Sequence, residues 1–245
     1  MTQRILCSVD EGLCRITLNR PEKLNALSLP MFEELEAHLD RLNFGEVGCV
    51  LLTGAGRSFC AGHDLDDLAN GTEGTVTGRR ETMIVERLAM LPVPVVAAVR
   101  GHCLTGGLEL ALAADIIIAA DDVQFADTHA KWDLVPIWGL SQRLPRRVGR
   151  AKAFEMMFAC RNYGAIEAVA MGLANFSVPS PELDTAAEAF CRSILANSWR
   201  ATRAVKRLVD QTDGLPLAAG IAWELHRTEG EGPQLADRLA RMRRR

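Results

Sequence analysis

Gly101-His102-Cys103-Leu104-Thr105-Gly106-Gly107-Leu108-Glu109-Leu110-Ala111-Leu112-Ala113-Ala114-Asp115 follows the β-branched run Val93 to Val99. The order is a strand, a glycine-rich turn and an apolar helix carrying one acid, Glu109. Glycines let the backbone approach a ligand closely. The first helical turn leaves its N–H groups without intrahelical acceptors, with the positive end of the helix dipole behind them. Such a turn can hold a developing negative charge.

Upstream, Ile5 to Val9 and Leu13 to Leu18 flank Asp10-Glu11-Gly12 and read as a hairpin. Ser28 is a candidate N-cap with Pro30 in the first turn. Met31, Leu35, His38, Leu39 and Leu42 then share one face, which predicts an amphipathic helix. Val47 to Thr53 reads as a buried strand running into Gly54 to Leu65, a second strand-to-loop passage dense in small residues. The chain therefore builds two similar amide-bearing turns. Asn70 to Gly78 is polar and glycine-rich, a candidate mobile loop or insertion. A helix is expected from Arg79 to Met90, closed by Pro92 and Pro94.

Downstream, the uniform apolarity of Ile116 to Ala120 predicts a strand buried on both faces, followed by another at Val123 to Ala126. Strands and helices alternate to about residue 150, so the class is α/β. Helices are then expected at Ala151–Ala159, Ala165–Met171, Pro181–Ala196, Arg200–Gln211, Leu215–Arg227 and in the tail. One extended piece at Phe176–Pro179 interrupts them. The composition shift near Ser198 marks a change of architecture rather than a separately folding domain.

With 245 residues, 48% hydrophobic and 24% charged, the chain can bury a sizeable core. A formal net charge of −3 argues against a nucleic-acid or membrane surface. No segment has the roughly 20 apolar residues of a membrane span, and the N-terminus lacks the apolar core of a signal peptide. Cysteines at 7, 14, 49, 60, 103, 160 and 191 have no paired metal spacing and read as buried thiols of a reducing compartment. A cytoplasmic protein is expected.

Leu18-Asn19-Arg20-Pro21-Glu22-Lys23-Leu24-Asn25-Ala26-Leu27, the Thr53 to Leu65 run, Val99 to Asp115, and Val135-Pro136 through Gln142-Arg143-Leu144-Pro145 together carry a resemblance. In this order and spacing they are similar to the enoyl-CoA hydratase/isomerase family, the crotonases. The resemblance implies a spiral of ββα units, here residues 1–197. It also implies a C-terminal helical region, 198–245, that covers the site and builds a homotrimer or a dimer of trimers. The implied ligand is an acyl-CoA thioester, with coenzyme A entering as part of the substrate and no separate cofactor or metal.

By the same resemblance, the thioester oxygen is held by two backbone N–H groups, those of His63 and Gly106. His63 stands where the family has a small residue, but only its amide is required. Thr105 replaces a family glycine, which leaves Gly106 and Gly107 to supply the turn. Glu109 matches the first catalytic glutamate. Its setting among Leu108, Leu110 and Leu112 independently predicts a raised pKa suited to a general base. The bland reading is an acid that complements the helix dipole.

The position of the family's second glutamate is held by His129. Histidine can act as acid or base near neutral pH, and Asp127 is close enough in sequence to orient or replace it; a histidine that only packs is the alternative. Ile137, Trp138 and Leu140 replace small residues and either reshape the acyl pocket or fill core. Asp64 is a candidate helix cap. The backbone of Ala61, Asp64, Leu65 and Asp66 would border the CoA moiety, and Lys23 either reaches a CoA phosphate or is solvated. Hydration of a 2-enoyl-CoA is the function this pattern predicts. Isomerisation, decarboxylation or C–C hydrolysis within the family, and non-catalytic acyl-CoA binding, are the competing readings.

Overall fold

The computed structural model describes residues 3–64, 67 and 75–243, with side chains in the last span from residue 78 onward. The hairpin forms as expected. β1 (Ile5–Asp10) pairs antiparallel with β2 (Leu13–Leu18), Ile5 opposite Leu18 and Asp10 opposite Leu13. Its two turn residues, Glu11 and Gly12, both have positive φ, 44° and 86°. That is the turn whose twist matches the strands it joins.

After α1 (Leu29–Asp40), β3 (Cys49–Gly54), α2 (Thr75–Ala89) and β4 (Val95–Val99), the chain repeats one unit. β4 leads to the short strand β5 (His102–Leu104) and α3 (Gly106–Ala111). Next, β6 (Ile116–Ala120) leads to β7 (Gln124–Ala126), a 3-10 turn at His129–Trp132 and α4 (Leu140–Val148). The long strands lie in one sheet ordered β1-β2-β3-β4-β6-β8, where β8 is Phe176–Val178 and every pair after the hairpin is parallel. β5 and β7 form a second, parallel ladder, extended by the parallel bridge between Cys60 and Cys103. Each turn of the chain thus adds one strand to each ladder, the ββα spiral that the family resemblance implies.

Strand parity explains the unbroken apolarity of β3, β4 and β6. Leu51, Val96, Ala98, Ile118 and Ala120 pack with Leu183, Ala187 and Cys191 of α7 (Leu183–Leu195). The alternate residues Val50, Leu52, Val95, Ala97, Val99, Ile117 and Ala119 face the larger core against Met31, Leu35, Ile84 and Leu88 of α1 and α2. A helix therefore covers each face, and both parities must be apolar.

The remaining helices are α5 (Arg150–Ala159), α6 (Ala165–Ala170), α8 (Trp199–Thr212), α9 (Leu217–Arg227) and α10 (Leu235–Met242). α8 is fastened to the sheet ends. The Trp199 ring lies where a Cβ on Gly12 or Gly48 would be, Arg203 donates to the Val47 carbonyl at 2.8 Å, and Lys206 Nζ meets Asp115 Oδ2 at 2.7 Å. α9 exposes Leu217, Ile221 and Leu225, four residues apart on one stripe. No helix among the described residues is long and apolar enough to cross a membrane. All seven cysteines carry free thiols, six of them buried.

Several local expectations are corrected. Ser28 occupies the N-cap of α1, but its hydroxyl makes no capping bond. α2 begins at Thr75 rather than Arg79; Thr82 Oγ1, one turn in from Gly78, lies within hydrogen-bond reach of the Gly78 and Ile137 carbonyls (2.7 and 2.9 Å). The rest of the polar interval, residues 70–74, lies outside the described residues. α4 was not anticipated. It buries only Leu140 and Leu144 and contains Pro145, so its periodic signal is thin.

Candidate active site

The opening turn is built differently from its sequence reading. Gly106 and Gly107 are already helical, and the residue with glycine-like geometry is Thr105, at φ 51° and ψ −111°. A β-branched residue there is strained. It is held by its N–H bond to the Ala126 carbonyl (2.8 Å), by the Thr128 hydroxyl (2.5 Å between oxygens) and by the Thr128 amide, which donates to Thr105 Oγ1 at 3.2 Å. The glycines serve close approach instead. A Cβ on Gly106 would stand 2.3 Å from the Trp138 ring, and one on Gly107 2.4 Å from the Cys60 carbonyl oxygen.

The first amide-bearing turn abuts the second. A parallel bridge joins Leu27 to His63, with Leu27 N–H bonding the Gly62 carbonyl (2.7 Å) and Asp64 N–H the Leu27 carbonyl (2.8 Å). Strand alternation then directs the His63 N–H away from Leu27. Gly62, at φ 105°, packs so close to the second turn that a Cβ on it would lie 3.5 Å from the Gly106 amide nitrogen. The platform beneath is set by Asn25, fully buried, whose side-chain amide donates to the Ala55 and Ser58 carbonyls (2.9 and 2.7 Å) and accepts from Arg20 N–H (2.8 Å). Its role was not foreseen. An asparagine inside a run of turn residues signals only local structure.

Glu109 is 1% exposed, and its Oε1 accepts from the backbone N–H of Trp138 (2.9 Å) and Leu140 (3.1 Å). Oε2 faces His129 Nε2 at 3.7 Å. Burial pushes the Glu109 carboxyl above the usual carboxylate range, against the opposing pull of His129 and of the Leu140 and Trp138 amides. The other ring nitrogen of His129, Nδ1, is 2.6 Å from Asp127 Oδ1, which also accepts the His129 backbone N–H at 3.1 Å. Asp127, His129 and Glu109 therefore form one buried row.

These groups open on a cavity of about 870 Å³. Lys23, Ala61, His63, Asp64, Gly106, Glu109, His129 and Trp138 all line it, so the sequence-predicted residues within the described region converge. Leu65 and Asp66 lie outside the described residues. Asp64 is buried and ion-paired with Arg20. Trp138 is 2% exposed and packs edge-on to Phe32 (5.0 Å between ring centroids) and against the His63 ring (5.3 Å). Burial lowers the His63 imidazole pKa. Leu140 is core, whereas Ile137, half-exposed, stands at the cavity rim with Val135 and Trp132.

Comparisons with known proteins identify the family and the fold. The family model described as enoyl-CoA hydratase/isomerase matches residues 8–230. A Rhodobacter capsulatus protein named as a probable enoyl-CoA hydratase is 39% identical over 233 residues, 94% of this chain and 89% of the relative. The short-chain-enoyl-CoA hydratase of Clostridium acetobutylicum is 34% identical over 85% of this chain and 82% of its own. Among solved structures, an enoyl-CoA hydratase from Bacillus anthracis superposes with a TM-score of 0.93 at 33% identity, covering 99% of this chain and 97% of that one. A Thermobifida fusca structure in complex with acetoacetyl-CoA gives 0.86 at 31% identity, covering 97% and 95%.

Proposed function

The chain belongs to the enoyl-CoA hydratase/isomerase family, and from that premise we propose that it hydrates the double bond of a 2-enoyl-CoA. The observation that carries this reading is the 3.7 Å separation of Glu109 Oε2 and His129 Nε2 at the wall of the cavity lined by His63 and Gly106. Two groups so spaced can both reach one water at ~2.8 Å. Glu109 takes a proton from that water, and its oxygen bonds to the β-carbon. The π electrons move to the thioester oxygen, which the His63 and Gly106 amides receive as an enolate. The proton on Glu109 passes across the short gap to His129 Nε2, and the imidazolium delivers it to the α-carbon, replacing the acid usual at its position.

Lys23, at the cavity mouth, and the backbone at Ala61 and Asp64 would border the CoA moiety, with Leu65 and Asp66 following. Trp138 would bound the acyl group. The assay is loss of the conjugated enoyl-thioester absorbance with appearance of the 3-hydroxyacyl-CoA. Turnover of short 2-enoyl-CoAs is expected. Binding of CoA thioesters with no hydration would sink the reading, and movement of the double bond without water uptake would favour isomerisation by the same pair.

The exposed stripe Leu217, Ile221 and Leu225 supports assembly through the C-terminal helices into a homotrimer or dimer of trimers, and the seven free thiols support a reducing, cytoplasmic setting. Light scattering should give the mass of three or six chains, and a monomer would overturn this.

A further inference from the structure

Histidine has two nitrogens, and the hydrogen bond made by one sets the state of the other. In the row described above, Asp127 is 1% exposed and His129 7% exposed, and a single carboxylate oxygen, Asp127 Oδ1, sits 2.6 Å from Nδ1 and 3.1 Å from the His129 backbone nitrogen. The carboxylate is itself placed. It follows directly on β7, and the next residue, Thr128, is locked to Thr105 of the oxyanion turn through both its hydroxyl and its amide. With Nδ1 facing an acceptor, Nε2 is left toward Glu109 and the cavity.

We infer that Asp127 is a positioning residue: it holds His129 as the Nδ1–H tautomer, so that Nε2 is the nitrogen that exchanges protons with substrate and Glu109. This rests on the reading that His129 works on the substrate. The consequence is mechanistic. An imidazole free to choose its tautomer would present Nε2–H to the cavity for part of the time and could not then accept the proton leaving Glu109. A carboxylate fixed on Nδ1 removes that state, and its negative charge stabilises the imidazolium formed once Nε2 is protonated.

The test joins a spectroscopic with a kinetic readout. In ¹⁵N-histidine-labelled protein, at a pH where the imidazole is neutral, long-range proton–nitrogen correlations report which ring nitrogen carries hydrogen, and His129→Ala identifies the signal. The native protein should show Nδ1–H. Asp127→Asn, which can offer an N–H to the ring, should move His129 toward Nε2–H and lower kcat about 10- to 100-fold with little change in KM. An unchanged tautomer in Asp127→Asn would overturn the proposal. A changed tautomer with full turnover would keep Asp127 as the orienting group but remove His129 from the chemistry. Should Asp127→Asn fail to fold, the native spectrum still decides, since an Nε2–H tautomer there contradicts the assignment.

Discussion

Glu109→Gln is expected to lose about 10²- to 10⁴-fold in kcat, the usual contribution of a general base, and yet to be at least as stable as the native protein at pH 8. The amide oxygen of glutamine can still accept the Trp138 and Leu140 N–H bonds now made by Oε1, so the loop over α3 keeps its anchor. What disappears is a carboxylate held in a buried site. Burial raises the Glu109 pKa above its unfolded value. The stability it contributes is then present in full below the unfolded value and is lost as pH rises through the folded one. The Tm of Glu109→Gln relative to native should therefore rise from pH 5 to pH 8. The same raised pKa should place the acid limb of native kcat/KM above the ordinary glutamate range. A variant with less than a tenfold loss, or one less stable at pH 8 than at pH 5 relative to native, would contradict the assignment of Glu109 as the buried base.

The α/β alternation was legible in the residues because apolar strands and small-residue turns are local signals, while the spiral that joins them was implied by the family resemblance. Val93 to Asp115 alone predicts the strand, the turn and the helix with its acid. The two-sided burial of Ile116–Ala120 follows from its lack of alternation, and α7 supplies the second covering layer. Local patterns do not encode what distant segments do to one another. Thr105 takes up glycine-like geometry because Ala126 and Thr128, twenty and more residues on, hold it there. The 3.7 Å meeting of Glu109 and His129 is set by where β7 ends relative to α3. Asp127 was visible as a neighbour of His129, but its bond to Nδ1 depends on how the chain turns after β7, which residue type does not encode. α4 escaped notice because Glu109 and Arg143, rather than a long apolar stripe, fix its start: Leu140 N–H binds Glu109, and Arg143 Nη1 binds the Trp138 carbonyl at 2.8 Å.

Gly106 and Gly107 are adjacent, yet their alanine variants should fail for different reasons. At Gly106 the added methyl meets a side chain, the Trp138 ring, at 2.3 Å. Overpacking of this kind costs about 1 to 3 kcal/mol, and here the ring or the amide must move. If the amide moves, one of the two donors proposed for the enolate is misplaced, a loss of about 10²- to 10³-fold in kcat. At Gly107 the methyl meets the Cys60 carbonyl oxygen at 2.4 Å. That oxygen already accepts the Leu104 N–H at 3.0 Å in the bridge between the two amide-bearing turns. Backbone cannot rotate away as a ring can, so Gly107→Ala should be the more destabilising of the pair, by Tm and by yield of folded protein. Shrinking the ring separates the two causes. Trp138→Ala, which by itself leaves a cavity costing roughly 3 to 5 kcal/mol, should add less than that when combined with Gly106→Ala, because each change relieves the other. Combined with Gly107→Ala, the two losses should add. Equal costs for the two glycine variants, or additivity in both doubles, would mean that the Trp138 ring does not confine the Gly106 turn.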